Sequence, residues 1–170
     1  SFWNLKKLRL LNLSNNHLTG SISDQINKLV SLEELWLSRN QFSGNLPYQI
    51  YLLANLTHLN ISENYIDGNL DESISRLSKL EYLNLWDNEL SGSIPPDIGS
   101  LSKLEFLSLG GNKLIGEIPH ELGNAKRLQS IALFENDLSG TIPVSVTELP
   151  RLKYLGPVSY THLRAHETSL

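Results

Sequence analysis

At 170 residues the chain is of a size for a single domain. Its net charge of −4, with no basic stripe, excludes a nucleic-acid partner, because phosphate binding needs clustered Lys and Arg. No apolar run approaches the ~20 residues that span a bilayer, and the absence of cysteine would ordinarily point to a reducing compartment.

The chain opens inside a unit that then recurs. Phe2 holds the position later filled by Ile26, Ile50, Ile74 and Ile98, so the expectation is a piece of something longer that starts after any leader. Units begin near Leu5, Leu29, Leu53, Leu77, Leu101 and Ala125, 24 residues apart. Asn16, Asn40, Asn64, Asn88, Asn112 and Asn136 occupy one position of the unit, and Gly20, Gly44, Gly68, Gly92, Gly116 and Gly140 another. The leucines keep the same phase, as in Leu80, Leu83 and Leu85.

Each position has a physical reason. In Leu-x-Leu the two leucines share one side of a short strand and the residue between them faces the other, so one face is core and one is solvent. At the asparagine the chain leaves the strand, and its backbone polar groups become internal once units stack. A carboxamide there satisfies donors and acceptors of its own and the neighbouring coil, avoiding about 1–3 kcal/mol per unpaired group. A further apolar residue such as Ile94 re-enters the core before Pro95 sets the next bend, and Pro95–Leu101 is expected to form helical or 3-10 turns.

A period in the twenties with the form LxxLxLxxNxL is the signature of a leucine-rich repeat, one coil of a solenoid. The extensions LSGSIP (Leu90–Pro95), LIGEIP (Leu114–Pro119) and LSGTIP (Leu138–Pro143) resemble the plant-type extracellular form of that repeat. This form occurs in receptor-like kinases, in receptor-like proteins without a kinase and in secreted inhibitors of polygalacturonase. The resemblance covers roughly residues 2–155. It implies an α/β solenoid, a right-handed superhelix with a parallel concave β-sheet and convex arcs of 3-10 or short helices. Departures are Ser23 and Asp71 in the proline position and Phe42 in a leucine position. Extracellular members of the class carry paired cysteines in terminal caps, and both caps are expected to lie outside this stretch, which removes the force of the cysteine count.

The expected domain organisation is a repeat array over 1–155, six full repeats with partial ones at both ends, and a non-repeat tail over 156–170. Continuing the phase calls for leucine at 157, asparagine at 160, leucine at 162 and glycine at 164. The chain instead has Pro157, Tyr160, His162 and Arg164. The tail reads as artefactual translated read-through and is assigned no function. Without caps, Leu5, Leu8 and Leu11 are expected to lie open at the N-terminal edge, and a folded middle over Leu29–Leu149 to stand between looser ends.

Candidate binding residues are those beside the strand leucines on the solvent side. One column reads Leu10, Glu34, His58, Tyr82, Phe106, Ser130 and Tyr154. The next reads Asn12, Trp36, Asn60, Asn84, Ser108 and Ala132. Beyond the second leucine come Ser14, Ser38, Ser62, Trp86, Gly110 and Phe134, then Asn15, Arg39, Glu63, Asp87, Gly111 and Glu135. Aromatic residues on a face that should be wet suggest a contact surface. The rival reading is that rings one strand apart pack on one another.

The ligand-binding set is Trp36, His58, Tyr82, Trp86, Asp87, Phe106, Gly110, Phe134, Glu135 and Tyr154, with Gly110 as the floor of a depression between Trp86 and Phe134. Acids exceed bases in these columns and in the one that precedes them, Arg9 to Lys153 (Glu33, Glu34, Glu63, Glu81, Asp87, Glu105 and Glu135 against Arg9, Arg39 and Lys153), which would steer a basic ligand here. A sheet of six coils at about 4.8 Å spacing is about 29 Å wide, enough for roughly nine residues of extended peptide.

Three N-x-Ser/Thr sequons make Asn12, Asn55 and Asn60 candidate glycosylation sites, with Asn55 outside the strand. Catalysis has no support. His17, His58 and His120 occupy different positions of the repeat, the order around His162 and His166 is not that of a zinc helix, and GGNK (Gly110–Lys113) is the repeat's own turn rather than a phosphate loop. No metal or cofactor is expected, and kinase signatures are absent from the chain.

The resemblance implies the ligand-binding segment of a plant cell-surface receptor-like kinase. It would recognise a peptide or protein on its concave face, with a co-receptor ectodomain as a further partner, at the extracellular side of the plasma membrane. The alternatives are a secreted inhibitor of a cell-wall hydrolase, a kinase-lacking receptor-like protein, and a purely structural role in which solenoids pair.

Overall fold

The computed structural model describes residues 2–156. The expected tail lies outside the described residues, apart from Gly156, which closes the last strand. Seven short strands form one parallel sheet in chain order: Leu10–Asn12, Glu34–Trp36, His58–Asn60, Tyr82–Asn84, Phe106–Ser108, Ser130–Ala132 and Tyr154–Gly156. They pair position for position, Leu11 with Leu35, Leu35 with Leu59 and Leu83 with Leu107. The central residue of each interior strand points inward and is buried, as Leu35, Leu59, Leu83, Leu107 and Ile131.

The opposite side of each coil is a 3-10 helix: Asp24–Lys28, Tyr48–Leu52, Glu72–Arg76, Pro96–Ser100 and His120–Asn124. A four-residue α-helix, Val144–Thr147, completes the row. Each helix buries its third residue, from Ile26 through Ile50, Ile74, Ile98 and Leu122 to Val146. Strand leucines and helix isoleucines meet in one continuous core from Ile22 to Leu149, while Leu8, Leu11 and Leu13 are only partly covered and Leu5 is 47% exposed. The fold is the solenoid that the repeat implies.

The asparagine ladder works as its chemistry requires. Asn88 Nδ2 donates to the carbonyl of Leu85 in its own coil at 3.2 Å and to that of Ile61 in the coil before at 3.0 Å. Its Oδ1 accepts the N–H of Ile66 at 2.9 Å. Asn40, Asn64, Asn112 and Asn136 repeat the pattern, whereas the side chain of Asn16, with no full coil described before it, bonds only the carbonyls of Leu13 and Ser14.

One element was not anticipated. The segments after the asparagines pair as two further parallel sheets, Thr19–Gly20 with Gln41–Asn45 and Tyr65–Asp67, and Ser91–Ser93 with Lys113–Glu117 and Asp137–Ser139. An isolated bridge from Asn69 to Ser91 links them. Their register is 22 residues, as in Ser43 with Tyr65 and Ile115 with Asp137, against 24 on the concave side. The two-residue stagger is even, so inward residues such as Leu114 and Ile66 stay inward. Among the described residues no helix is long and apolar enough to cross a membrane.

Candidate functional site

The concave sheet delivers its outward residues in columns, and the first two columns form a run of rings. Tyr82 and Phe106 stack nearly parallel, with centroids 4.4 Å apart at 8°. His58 stacks on Tyr82 at 5.8 Å, and Trp36, from the next column, leans over both His58 (5.9 Å) and Tyr82 (5.6 Å). The rings therefore do pack on one another, a gain of about 0.5–1.5 kcal/mol per pair beyond burial. All four nonetheless keep intermediate exposure, so the run is a surface as well as a strut.

Polar neighbours hold the rings in place. Trp36 Nε1 donates to Glu34 Oε2 at 2.9 Å, Asn84 Nδ2 donates to the Tyr82 hydroxyl at 3.3 Å, and His58 Nδ1 lies 2.9 Å from Thr57 Oγ1. Glu34 and Asn84, which belong to the two columns, and Thr57, which lies outside them, are positioning residues absent from the expected ligand-binding set. Their signal was adjacency in the sequence to the aromatic positions. Tyr154 is not part of the run: Ser130 on the intervening strand separates it from Phe106, and it is half exposed beside Gly156.

The depression expected over Gly110 is filled. Gly110 is buried, and the ring of Phe134 lies across it, with Cε1 and Cε2 each 3.2 Å from where a Cβ would be. On the other side the Trp86 indole approaches Gly111, whose missing Cβ would sit 3.3 Å from Nε1. The glycine pair thus seats two aromatic rings instead of forming an open floor. Trp86 Nε1 is buried there with no hydrogen-bond partner among the described residues, an orphan donor on this face.

Asp87 and Glu135 stand at the corner that follows the strand, in left-handed backbone with φ of 55° and 54°, like Asn15, Arg39, Glu63 and Gly111 in the same position. A left-handed residue with a side chain costs roughly 1–2 kcal/mol, and at this corner the turn projects both carboxylates into solvent. Charge along the face is uneven. Arg9 forms a two-pronged pair with Glu33 (2.8 and 2.6 Å), and Arg39 pairs with Glu63 at 2.8 Å. The Arg9 hydrogen bonds hold the Glu33 carboxyl below its ordinary range. No such pair forms at Asp87 or Glu135 among the described residues, so the acidic surplus gathers on repeats four to six.

The sequons fare differently. Asn12 is exposed. Asn55 is half-buried, donating to the Val30 carbonyl at 3.1 Å and accepting from Lys79 Nζ at 2.7 Å. Asn60 is 8% exposed, and its Oδ1 takes hydrogen bonds from the backbone N–H and the hydroxyl of Ser62. The folded coil thus occupies the Asn60 carbonyl oxygen, while the Asn60 amide nitrogen, the atom a glycan would join, makes no hydrogen bond among the described residues. Among the described residues no group of three or more His, Asp or Glu side chains converges as a metal site.

Comparison with known proteins places this geometry. The leucine rich repeat family pattern matches residues 53–114, and a two-copy leucine rich repeat pattern matches residues 6–48. No curated protein sequence matches significantly. Among solved structures, the plant peptide hormone receptor RGFR1, in complex with RGF2, superposes with a TM-score of 0.88 at 37% identity, over 91% of this chain and 25% of that one. The Arabidopsis receptor kinase HAESA, in complex with the peptide hormone IDA and the co-receptor SERK1, matches with a TM-score of 0.76 at 30% identity, over 91% of this chain and 30% of that one. The ectodomain of the receptor kinase SOBIR1 from Arabidopsis thaliana is 34% identical with a TM-score of 0.73, over 78% of this chain and 72% of that one. The chain thus spans about a quarter of the length of the peptide-hormone receptor. Repeat phase, asparagine ladder, second sheets and these likenesses agree: the chain belongs to the leucine-rich-repeat family, in its plant extracellular form.

Proposed function

We propose that this chain is a ligand-binding segment of a plant receptor ectodomain that takes an extended peptide along its concave face. The observation that carries the reading is the run of half-exposed rings from Trp36 to Phe106, continued by Trp86 and Phe134 on their glycine seats and bordered by unpaired Asp87 and Glu135. Rigid aromatics at the centre of a face with charge at its rim suit a partner whose apolar side chains lie on the rings and whose basic groups meet the acids. Peptide hormones sit on the similar receptors RGFR1 and HAESA, which supports a peptide over a small molecule. The parent is a receptor-like kinase on the extracellular side of the plasma membrane, with a co-receptor ectodomain as second partner. This segment binds and does not catalyse.

The test is selection of binders from a displayed library of random nonapeptides against the full chain, followed by titration of the recovered peptides. Selected peptides should be enriched in Lys or Arg, and Trp86→Ala or Phe134→Ala should weaken them at least about tenfold, while Val144→Ser on the convex side leaves affinity unchanged. Failure to select any peptide, or peptides indifferent to both ring deletions, overturns the reading. Sequencing the full-length transcript tests the parent: a membrane span and kinase downstream are expected, and a secreted product without them excludes the receptor kinase.

A further inference from the structure

A second concavity lies where the crossing segments of repeats two and three meet their convex helices, away from the concave sheet. Its volume is about 330 Å³, and Asn45, Tyr48, Tyr51, Asn69 and Asp71 line it around Gly68. These are the places where the two repeats leave the common pattern. Tyr51 stands where other units have Asn27, Ser75, Gly99, Gly123 or Thr147, and Asp71 replaces the proline of Pro47, Pro95, Pro119 and Pro143. Asn45 and Asn69 hold successive carboxamides in a position that is otherwise Ser21, Ser93, Glu117 or Thr141.

The departures are coupled. Tyr51 is buried, 2% exposed, and its hydroxyl oxygen accepts the backbone N–H of Asp71 at 3.4 Å. A proline at 71 would have no N–H to donate. Burial pushes the Tyr51 hydroxyl up to about 12, so it keeps its proton and retains an O–H to give. Asp71 Oδ1 accepts the Ser73 N–H at 2.8 Å, and the Ser73 side chain adds a hydrogen bond that holds the carboxyl below its ordinary range; the carboxylate makes no hydrogen bond to the other lining residues. The Asn45 carboxamide lies over Gly68 and likewise makes no hydrogen bond among those residues. Tyr48, 46% exposed, meets Tyr51 edge-on at 6.3 Å, with the Arg76 guanidinium 5.8 Å from its ring centre.

We propose that this concavity binds a neutral pyranose saccharide, its hydroxyls held by Asn45, Asn69 and Asp71 and an apolar C–H edge packed on Tyr48. The chemistry of the lining selects that class. Sugar hydroxyls both donate and accept, which matches the Asn45 carboxamide, the Asn69 amide N–H groups beside an Oδ1 that takes the Ser91 hydroxyl at 3.3 Å, the Asp71 carboxylate and one phenol O–H. A uronate would bring a second negative charge against Asp71, which lines the concavity, whereas the Arg76 guanidinium lies beside Tyr48 and outside the lining. An ammonium ion would leave the carboxamide and phenol donors facing a group that accepts nothing.

The site is independent of the concave-face reading, and the experiment separates the two. Cellohexaose, xylohexaose and mannohexaose are titrated against the full chain by saturation-transfer NMR up to about 10 mM, a range suited to weak saccharide sites. Trigalacturonate and putrescine serve as anionic and cationic controls. At least one neutral oligosaccharide should saturate, and Asn69→Ala and Tyr48→Ala should each weaken it at least about fivefold. Trp86→Ala should leave it unchanged while weakening the selected peptides. The proposal is overturned if no neutral oligosaccharide saturates, if a control binds as well, or if binding survives both lining substitutions with the thermal unfolding midpoint unchanged.

Discussion

A Cβ added to Gly99 would run into the backbone carbonyl of Glu121 in the next coil, and one added to Gly123 would lie 2.5 Å from the carbonyl oxygen of Ser145. Successive helices of the C-terminal half approach so closely that only glycine fits between them. Gly99→Ala should therefore cost about 2–3 kcal/mol, in the range of overpacking with backbone displacement. Asn124→Ala at the end of a neighbouring helix should cost under about 0.5 kcal/mol. Urea unfolding of both variants checks this, and equal midpoints would show that the helices spread apart without penalty.

The asparagine ladder sets a contrast between interior and end. Asn88→Ala orphans the internal Ile66 N–H and takes one of two donors from the Ile61 and Leu85 carbonyls, which keep Asn64 and Asn112, and should cost about 2–3 kcal/mol. Asn16→Ala removes only exposed bonds within its own coil and should cost under about 1 kcal/mol. Comparing the two unfolding free energies decides whether bridging between coils, rather than the asparagine turn itself, is what stabilises the array.

Tyr51 and Asp71 should behave as one unit. Asp71→Pro restores the common residue at a compatible φ of −81°, which favours folding by about 0.4–1 kcal/mol through the unfolded chain. It also removes the N-cap bond to Ser73 and the N–H given to Tyr51, together worth more, so a net loss of about 1–2 kcal/mol is expected. In a Tyr51→Phe background that loss should shrink by roughly 0.5–1 kcal/mol. A double-mutant cycle with zero coupling would separate the two departures.

Acid should reveal the Arg9–Glu33 pair. The hydrogen bonds from Arg9, more than its charge alone, hold Glu33 below its ordinary value of 4.5. A carboxyl whose folded value is depressed adds stability above its unfolded value and loses it as pH falls through the folded one. Arg9→Gln should therefore lower the thermal midpoint at neutral pH, and the deficit should vanish once the pH is well below 4.5. A deficit unchanged at low pH would mean that Arg9 acts through packing. The effect should be small and salt-sensitive, because the pair is exposed.

Hydrogen exchange should show protection rising from the ends toward the centre. Strand amides at Leu59 and Leu83 should exchange at least about tenfold more slowly than that at Leu11, because an end coil has one neighbour instead of two. Uniform protection across all coils would show that the array opens only as a whole.

How much of this was legible in the sequence depended on whether a feature is a matter of spacing. The ladder from Asn40 to Asn136, the inward leucines, the convex helices and the columns of the concave face all recur at 24 residues, and each position admits one kind of side chain for one local reason. Those features needed no coordinates. The candidate site was only half legible in the same way: its columns followed from the period, but not whether His58, Tyr82 and Phe106 stack or stand apart.

Ring stacking, the turning of Phe134 onto Gly110, the enclosure of Asn60 behind Ser62 and the pairing of Arg9 with Glu33 depend on side-chain torsions and on how far one coil is offset from the next. So does the 22-residue register of the second sheets, which a constant period conceals because the coils are not stacked squarely. By itself the sequence determined the coil, since its periodic apolar positions have one face to bury. Only the tertiary structure decided what neighbouring coils do to one another, since that is a relation between atoms distant in the chain that linear spacing does not encode.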